Sequence, residues 1–162
     1  MNELNLDQLI ADFVIQNKEK YYRLAFHYVK NQADALDVVH ESIIKALSNK
    51  ETLQNPDFLK TWFYRIVINT SIDLLRKQER SVIVDDNVLS SLDGGKTDHY
   101  EDVDLKIALT SLPVQYRSVI ILRYFEDFKL EEIAQILDKN INTVKTRLYK
   151  ALSMLRITLN EI

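Results

Sequence analysis

No cysteine occurs in the 162-residue sequence, which excludes disulfides and thiolate-held metals. Glycine is confined to the adjacent pair Gly94 and Gly95, and proline to Pro56 and Pro113. A sandwich or barrel of many short strands needs far more turn residues, so an all-α chain is expected. The same scarcity removes the glycine-rich loops that cradle phosphates. The three histidines, His27, His40 and His99, include no i, i+4 pair, and His40-Glu41 lacks the second histidine of a zinc-protease helix. The expectation is no catalysis, no cofactor and no metal.

Long apolar runs are missing too. None approaches the roughly 20 residues that cross a bilayer, and the opening MNELNLDQLI lacks the basic-then-apolar pattern of a signal peptide. A cytoplasmic protein with no direct membrane insertion is expected, meeting a membrane only through a partner. The net charge of -3 gives no general attraction for DNA, so DNA binding would need a local basic cluster and help from a partner.

What the sequence does contain is a helical apolar period on both sides of an acidic stretch. Asp85, Asp86, Asp93, Asp98, Glu101, Asp102 and Asp104 are opposed there only by Lys96, and the Gly-Gly pair and Ser90-Ser91 fall in the same stretch. Such a composition buries too little apolar surface to fold alone. Two small helical domains are expected, 1–80 and 101–162, joined by a flexible acidic linker over 81–100.

In the second domain Leu130, Ile133, Ala134 and Leu137 mark a short helix, and Asp138-Lys139-Asn140 breaks it. From Thr143 a second helix puts Val144, Leu148, Ala151, Leu152 and Leu155 on one stripe, with Asn140 or Asn142 as its cap. The opposite face carries Asn142, Thr146, Tyr149, Lys150 and Ser153, flanked by Lys145 and Arg147, with no acid between 139 and 156. Polar and aromatic groups in the middle suit base edges and the flanking cations suit phosphates, the pattern of a helix-turn-helix. A surface helix whose cations merely suit its C-terminal dipole has the same periodicity.

In the first domain Ala33, Leu36, Val39, Ile43 and Leu47 read as the buried face of a helix, with Asp34, Asp37 and Glu41 as an acidic stripe beside it. That stripe suits a basic partner, or equally an ordinary solvated face. Leu59, Trp62, Phe63, Ile66, Val67, Thr70 and Leu74 read as core, and Arg65, Asn69, Ile72 and Arg76 share another face whose basic end continues to Lys77 and Arg80.

Leu112-Pro113, Tyr116-Arg117, Leu122-Arg123, Leu130-Glu131-Glu132-Ile133-Ala134 and Thr143-Val144-Lys145-Thr146-Arg147-Leu148 resemble region 4 of the extracytoplasmic function (ECF) subfamily of sigma-70 family RNA polymerase sigma factors. Asp34-Ala35-Leu36-Asp37-Val38-Val39-His40-Glu41 resembles its region 2.2, with His40 where glutamine is usual, and Phe58 to Arg80 is similar to regions 2.3 and 2.4. Tyr22-Arg23-Leu24-Ala25-Phe26 and Asp98-His99-Tyr100 are similar to one group of members from low-GC Gram-positive bacteria.

The resemblance implies a factor that binds core RNA polymerase and directs it to promoters, in a cell-envelope stress response. Asp34, Asp37, Val38, His40 and Glu41 would grip the clamp helices of the largest polymerase subunit, with region 4 at the flap of the second-largest. A loop over 48–57 would capture the melted minus-10 element through Asn49, Lys50, Asn55 and Phe58, with Arg65, Asn69 and Arg76 on the following helix. At the minus-35 element Lys145, Thr146, Tyr149 and Lys150 would read bases, and Thr143 and Arg147 would hold phosphates beside Asn142. A membrane-anchored anti-sigma factor would sequester the protein at the inner face of the membrane. Lys139 and Asn142 depart from the family pattern, which has an apolar and a small residue there. A helix-turn-helix regulator that is not a polymerase subunit is the alternative.

Overall fold

A computed structural model describes the backbone of residues 3–84 and 107–161 and the side chains of 5–80 and 107–157. All regular structure among the described residues is helical, and the chain divides into two compact units, Met1–Arg80 and Ser81–Ile162.

The first unit contains α1 (Glu3–Gln16), α2 (Lys18–Val29), α3 (Gln32–Ser48) and α4 (Leu59–Val84) up to Arg80, with 3-10 turns at Lys50–Thr52 and Pro56–Phe58 between the last two. Lys30, at φ 59°, ends α2 in the left-handed region, and the Asn31 side chain starts α3 by accepting from the Asp34 amide at 2.9 Å. Phe13, Tyr21, Phe63 and Tyr64 form the aromatic centre, with Tyr21 and Phe63 edge-to-face at 4.6 Å.

Two expectations change here. The buried face of α3 is Ala35, Val38, Val39, Ser42 and Ala46, whereas Ala33, Leu36 and Leu47 are exposed and Ile43 is half-buried. α3 packs on α2, and the Ser42 hydroxyl can be buried because it donates to the Val38 carbonyl at 2.6 Å. The buried face of α3 is thus made of Ala, Val and Ser, and Leu36, Ile44 and Leu47 face outward. In addition, α4 runs to Val84, so the first four residues of the expected linker, 81–84, are helical. Neither glycine nor proline interrupts that segment. The remainder of the expected linker, 85–100, lies outside the described residues.

The second unit contains helical residues 107–111 (α5), α6 (Val114–Ile120), α7 (Leu130–Leu137) and α8 (Ile141–Glu161). α6 passes into a π-helical turn, Ile121–Phe125, closed by the Glu126 amide on the Ile121 carbonyl at 3.0 Å. The core gathers Leu112, Val119 to Leu122, Phe128, Ile133, Ile136, Val144, Leu148, Ala151 and Leu155. Arg117 is also buried, its Nη2 donating to the carbonyls of Thr110 and Leu112, both at 3.1 Å.

Candidate functional site

The turn between α7 and α8 is fixed by local chemistry. The Lys129 amide donates to Glu132 Oε1 at 2.9 Å at the start of α7. At its end Asp138 takes the left-handed conformation, φ 54° and ψ 50°, while the Lys139 amide returns to the Ala134 carbonyl. Asn140 then caps α8 by accepting from the Asn142 amide at 2.8 Å. The left-handed position is thus filled by Asp138, and Lys139 and Asn142 stand exposed on either side of the cap.

Burial of Val144, Leu148, Ala151 and Leu155 on one side of α8 leaves Asn142, Lys145, Thr146, Tyr149, Lys150 and Ser153 exposed on the other. Thr143 and Arg147 are half-buried at the margins. Tyr149 is 71% exposed, a large aromatic presented to solvent on this face. Thr146 donates its hydroxyl to the Asn142 carbonyl at 2.9 Å, so its proton is committed within the helix. Lys150 places its ammonium 5.5 Å from the centre of the Tyr116 ring, and a hydrogen bond from Lys150 lowers the Tyr116 pKa below the ordinary value of 10.0.

On α3 the five expected partner-facing residues separate. Asp37, His40 and Glu41 are exposed, joined by Leu36 and Ile44. Val38 is 1% exposed and belongs to the core, since its position in the helix puts it on the buried face with Ala35, Val39 and Ser42. Asp34 is half-buried, and its carboxylate accepts from Gln78 on α4 at 2.8 Å. A charged groove of about 570 Å³ opens between α3 and α4, with Asp37, Glu41 and Asp73 among its acids and Arg76, Lys77 and Arg80 among its bases.

The segment 49–58 is a braced loop. Trp62, expected in the core, is instead half-buried at its rim, where its indole N–H donates to Thr52 Oγ1 at 2.9 Å. An indole needs a partner for that proton, and the loop supplies it. Thr52 in turn donates to the Asn49 carbonyl at 2.7 Å, and Asn55 caps the second 3-10 turn by accepting from the Asp57 amide at 3.0 Å. Lys50 is paired with Asp7 of α1, at 3.0 and 3.1 Å from its two carboxylate oxygens. This ion pair departs from the expectation of Lys50 as a cation turned to DNA: the carboxylate that neutralises it comes from a helix 43 residues away. Phe58 projects at 56% exposure, and Asn49 and Asn55 are exposed beside it. Along α4, Asn69 and Arg76 are exposed and Arg65 is half-buried.

Sequence reading missed Asp7, Gln78 and Tyr116 as members of these surfaces. Each acts on a residue more than 30 positions away, and no local pattern signals such a pairing. Among the described residues no His, Asp or Glu cluster is placed to hold a metal, and no helix is long and apolar enough to cross a membrane.

Two family models match the chain: sigma-70 region 2 over residues 13–81 and sigma-70, region 4 over residues 104–155. RNA polymerase sigma factor SigV of Bacillus subtilis (strain 168) is 55% identical over 153 residues, 94% of this chain and 92% of the relative. The similarity of Tyr22 to Phe26 and Asp98 to Tyr100 to the Sigma V type agrees with that match, although 98–100 lie outside the described residues. ECF RNA polymerase sigma factor SigW of the same organism is 30% identical, across 94% of this chain and 89% of the relative. Among solved structures, the sigma factor RpoE in complex with the anti-sigma factor NepR from Bartonella quintana superposes with a TM-score of 0.72 at 25% identity, covering 93% of this chain and 96% of that one. With both sigma regions matched and near full-length identity to such relatives, the chain belongs to the ECF subfamily of the sigma-70 family, transcription initiation factors and not enzymes.

Proposed function

We propose that the two units divide promoter recognition, the first holding core polymerase and the melted minus-10 strand and the second reading the minus-35 element. The observation that carries this reading is the two-sidedness of α8, with an apolar stripe inward and Asn142, Lys145, Thr146, Tyr149 and Lys150 outward. A helix of this kind enters a major groove by its exposed face, with Thr143 and Arg147 at the phosphate walls. Asp37, His40 and Glu41 on α3 face the clamp helices of the largest polymerase subunit, and the second unit meets the flap of the second-largest. Asn49, Asn55 and Phe58 line the site for the minus-10 base, backed by Arg65, Asn69 and Arg76. The proposed boundaries are residues 1–80 for the first function and 101–162 for the second.

Regulation follows the relative solved with an anti-sigma factor. A membrane-anchored anti-sigma factor holds this chain at the inner face of the membrane and releases it in a cell-envelope stress response. The test is crosslinking in holoenzyme, with a photoreactive amino acid at position 149 or 58. Position 149 should crosslink the upstream element and position 58 the downstream one. Crosslinks from position 149 to polymerase alone would overturn the assignment of α8.

A further inference from the structure

From the ion pair between α1 and the 49–58 loop we infer that Asp7 is a positioning residue for capture of the minus-10 strand. The inference rests on the reading of that loop as the base site.

The loop has few anchors of its own. Leu53 is its one buried apolar side chain among 49–58, and its other residues are exposed or half-buried. Its shape is therefore set by polar attachments at two sides. On the α4 side, Trp62 holds Thr52, which holds the Asn49 carbonyl. On the α1 side, both carboxylate oxygens of Asp7 lie within 3.1 Å of the Lys50 ammonium, between the same two loop residues. The Lys50 side chain is 24% exposed and Asp7 42%, so water screens the pair only in part.

Asp7 and the rest of the first turns of α1 precede residue 13, where the match to sigma-70 region 2 begins. The part of α1 that precedes that match thus reaches a surface inside it. Because Lys50 is neutralised by Asp7, it contributes little net charge to an approaching phosphate. Its contribution is to fix the backbone from which Asn49, Asn55 and Phe58 project. A site held in the bound geometry loses less entropy when a base enters.

The experiment measures binding of a single-stranded minus-10 oligonucleotide to holoenzyme for Asp7→Asn, Asp7→Glu, Lys50→Asp and the exchange Asp7→Lys with Lys50→Asp. Asp7→Asn should weaken binding by about twofold to fivefold, the range of a partly exposed ion pair. Affinity for core polymerase should be unchanged, Asp7→Glu should retain most of the binding, and the exchange should recover more than Lys50→Asp alone. An oligonucleotide abasic at the captured position should bind wild type and Asp7→Asn equally. Wild-type binding by Asp7→Asn, or a loss that persists on the abasic strand, would overturn the inference. Asn55→Ala and Phe58→Ala separate the two failures. If they too leave binding unchanged, the reading of the loop falls. If they weaken binding while Asp7→Asn does not, only the role of Asp7 falls.

Discussion

The Lys150 ammonium sits over the ring of Tyr116, so an exposed cation of α8 is tied to the helix packed behind it. The Tyr116 phenol is held below its ordinary value of 10.0 chiefly by a hydrogen bond from Lys150, aided by the Lys150 charge, Gln115 and the Arg147 charge and opposed by desolvation. Between the lowered value and 10.0 the folded chain has released a proton that the unfolded chain keeps. Stability from this contact therefore rises with pH across that window and is lost as pH falls through the folded value. An ultraviolet titration of tyrosinate should show an early component, and Lys150→Met should remove it. An early component that survives Lys150→Met would assign the shift to another cause.

Arg117 is buried in the second unit, and its Nη2 donates to two carbonyls around the end of α5. Arg117→Met keeps the volume and strands two acceptors, at a cost of about 2 to 4 kcal/mol. Hydrogen exchange at the amides of Val119 to Leu122 in the intact chain should accelerate accordingly, while the amides of α2 stay protected. Arg123→Met should cost less, since Arg123 is half-buried and bonds one carbonyl, that of Phe128 at 2.9 Å. Unchanged protection in Arg117→Met would show that water satisfies those carbonyls.

On α3, neighbours in sequence should give opposite phenotypes. Asp37→Lys with Glu41→Lys reverses two exposed charges and should weaken holoenzyme assembly without loss of fold, as expected where an acidic surface meets a basic one. Val38→Ala removes buried methyl groups and should lower stability by about 1 to 3 kcal/mol while leaving core affinity intact. Titration of labelled core polymerase, paired with thermal unfolding, separates the two. Normal assembly by the charge-reversed variant would rule out the acidic stripe as a docking surface.

The helix-turn-helix was legible because its determinants are local. Asn140 sits two residues before the amide it caps, and the stripe Val144, Leu148, Ala151 and Leu155 follows the helical period. The face of α3 was not legible for a physical reason: the helical period is ranked by hydrophobicity, whereas the face that packs is made of smaller residues, Val38 and Val39 with Ala and Ser. Ala35, Ser42 and Ala46 are inside, and Leu36 and Ile44 are outside. The role of Trp62 was hidden in another way, since an aromatic at core spacing carries an N–H whose partner, Thr52, lies in an irregular loop. Asp7 had no sequence signal at all, because its partner is 43 residues away.

The exposed face of α8 should divide specificity from affinity. Tyr149 is 71% exposed on that face, so its removal should cost little stability and a loss of function should report contact with DNA. Tyr149→Ala should cost about 1 to 3 kcal/mol at the preferred upstream element and flatten the ranking among its variants. Arg147 lies half-buried at the margin of that face, and the proposed docking sets it at a phosphate wall of the groove. Arg147→Ala should weaken all promoters alike and reduce the salt slope by about one, as when a single phosphate contact is lost. Leu148, between them in sequence but inside in space, should behave as neither: Leu148→Ala should lower stability by about 2 to 5 kcal/mol before any preference changes. Thr146→Val tests a narrower point, because the hydroxyl proton already serves the Asn142 carbonyl and only the oxygen remains to accept from a base. Its loss should matter where the base facing Thr146 is cytosine or adenine, whose N4 or N6 amino group donates in the major groove, and not where it is guanine or thymine, which present only acceptors there. Transcription from a library of upstream elements at two salt concentrations, run for each variant, distinguishes these outcomes. If Tyr149→Ala preserves the ranking while Arg147→Ala reorders it, α8 lies in the groove in a different rotation from the one its buried stripe dictates.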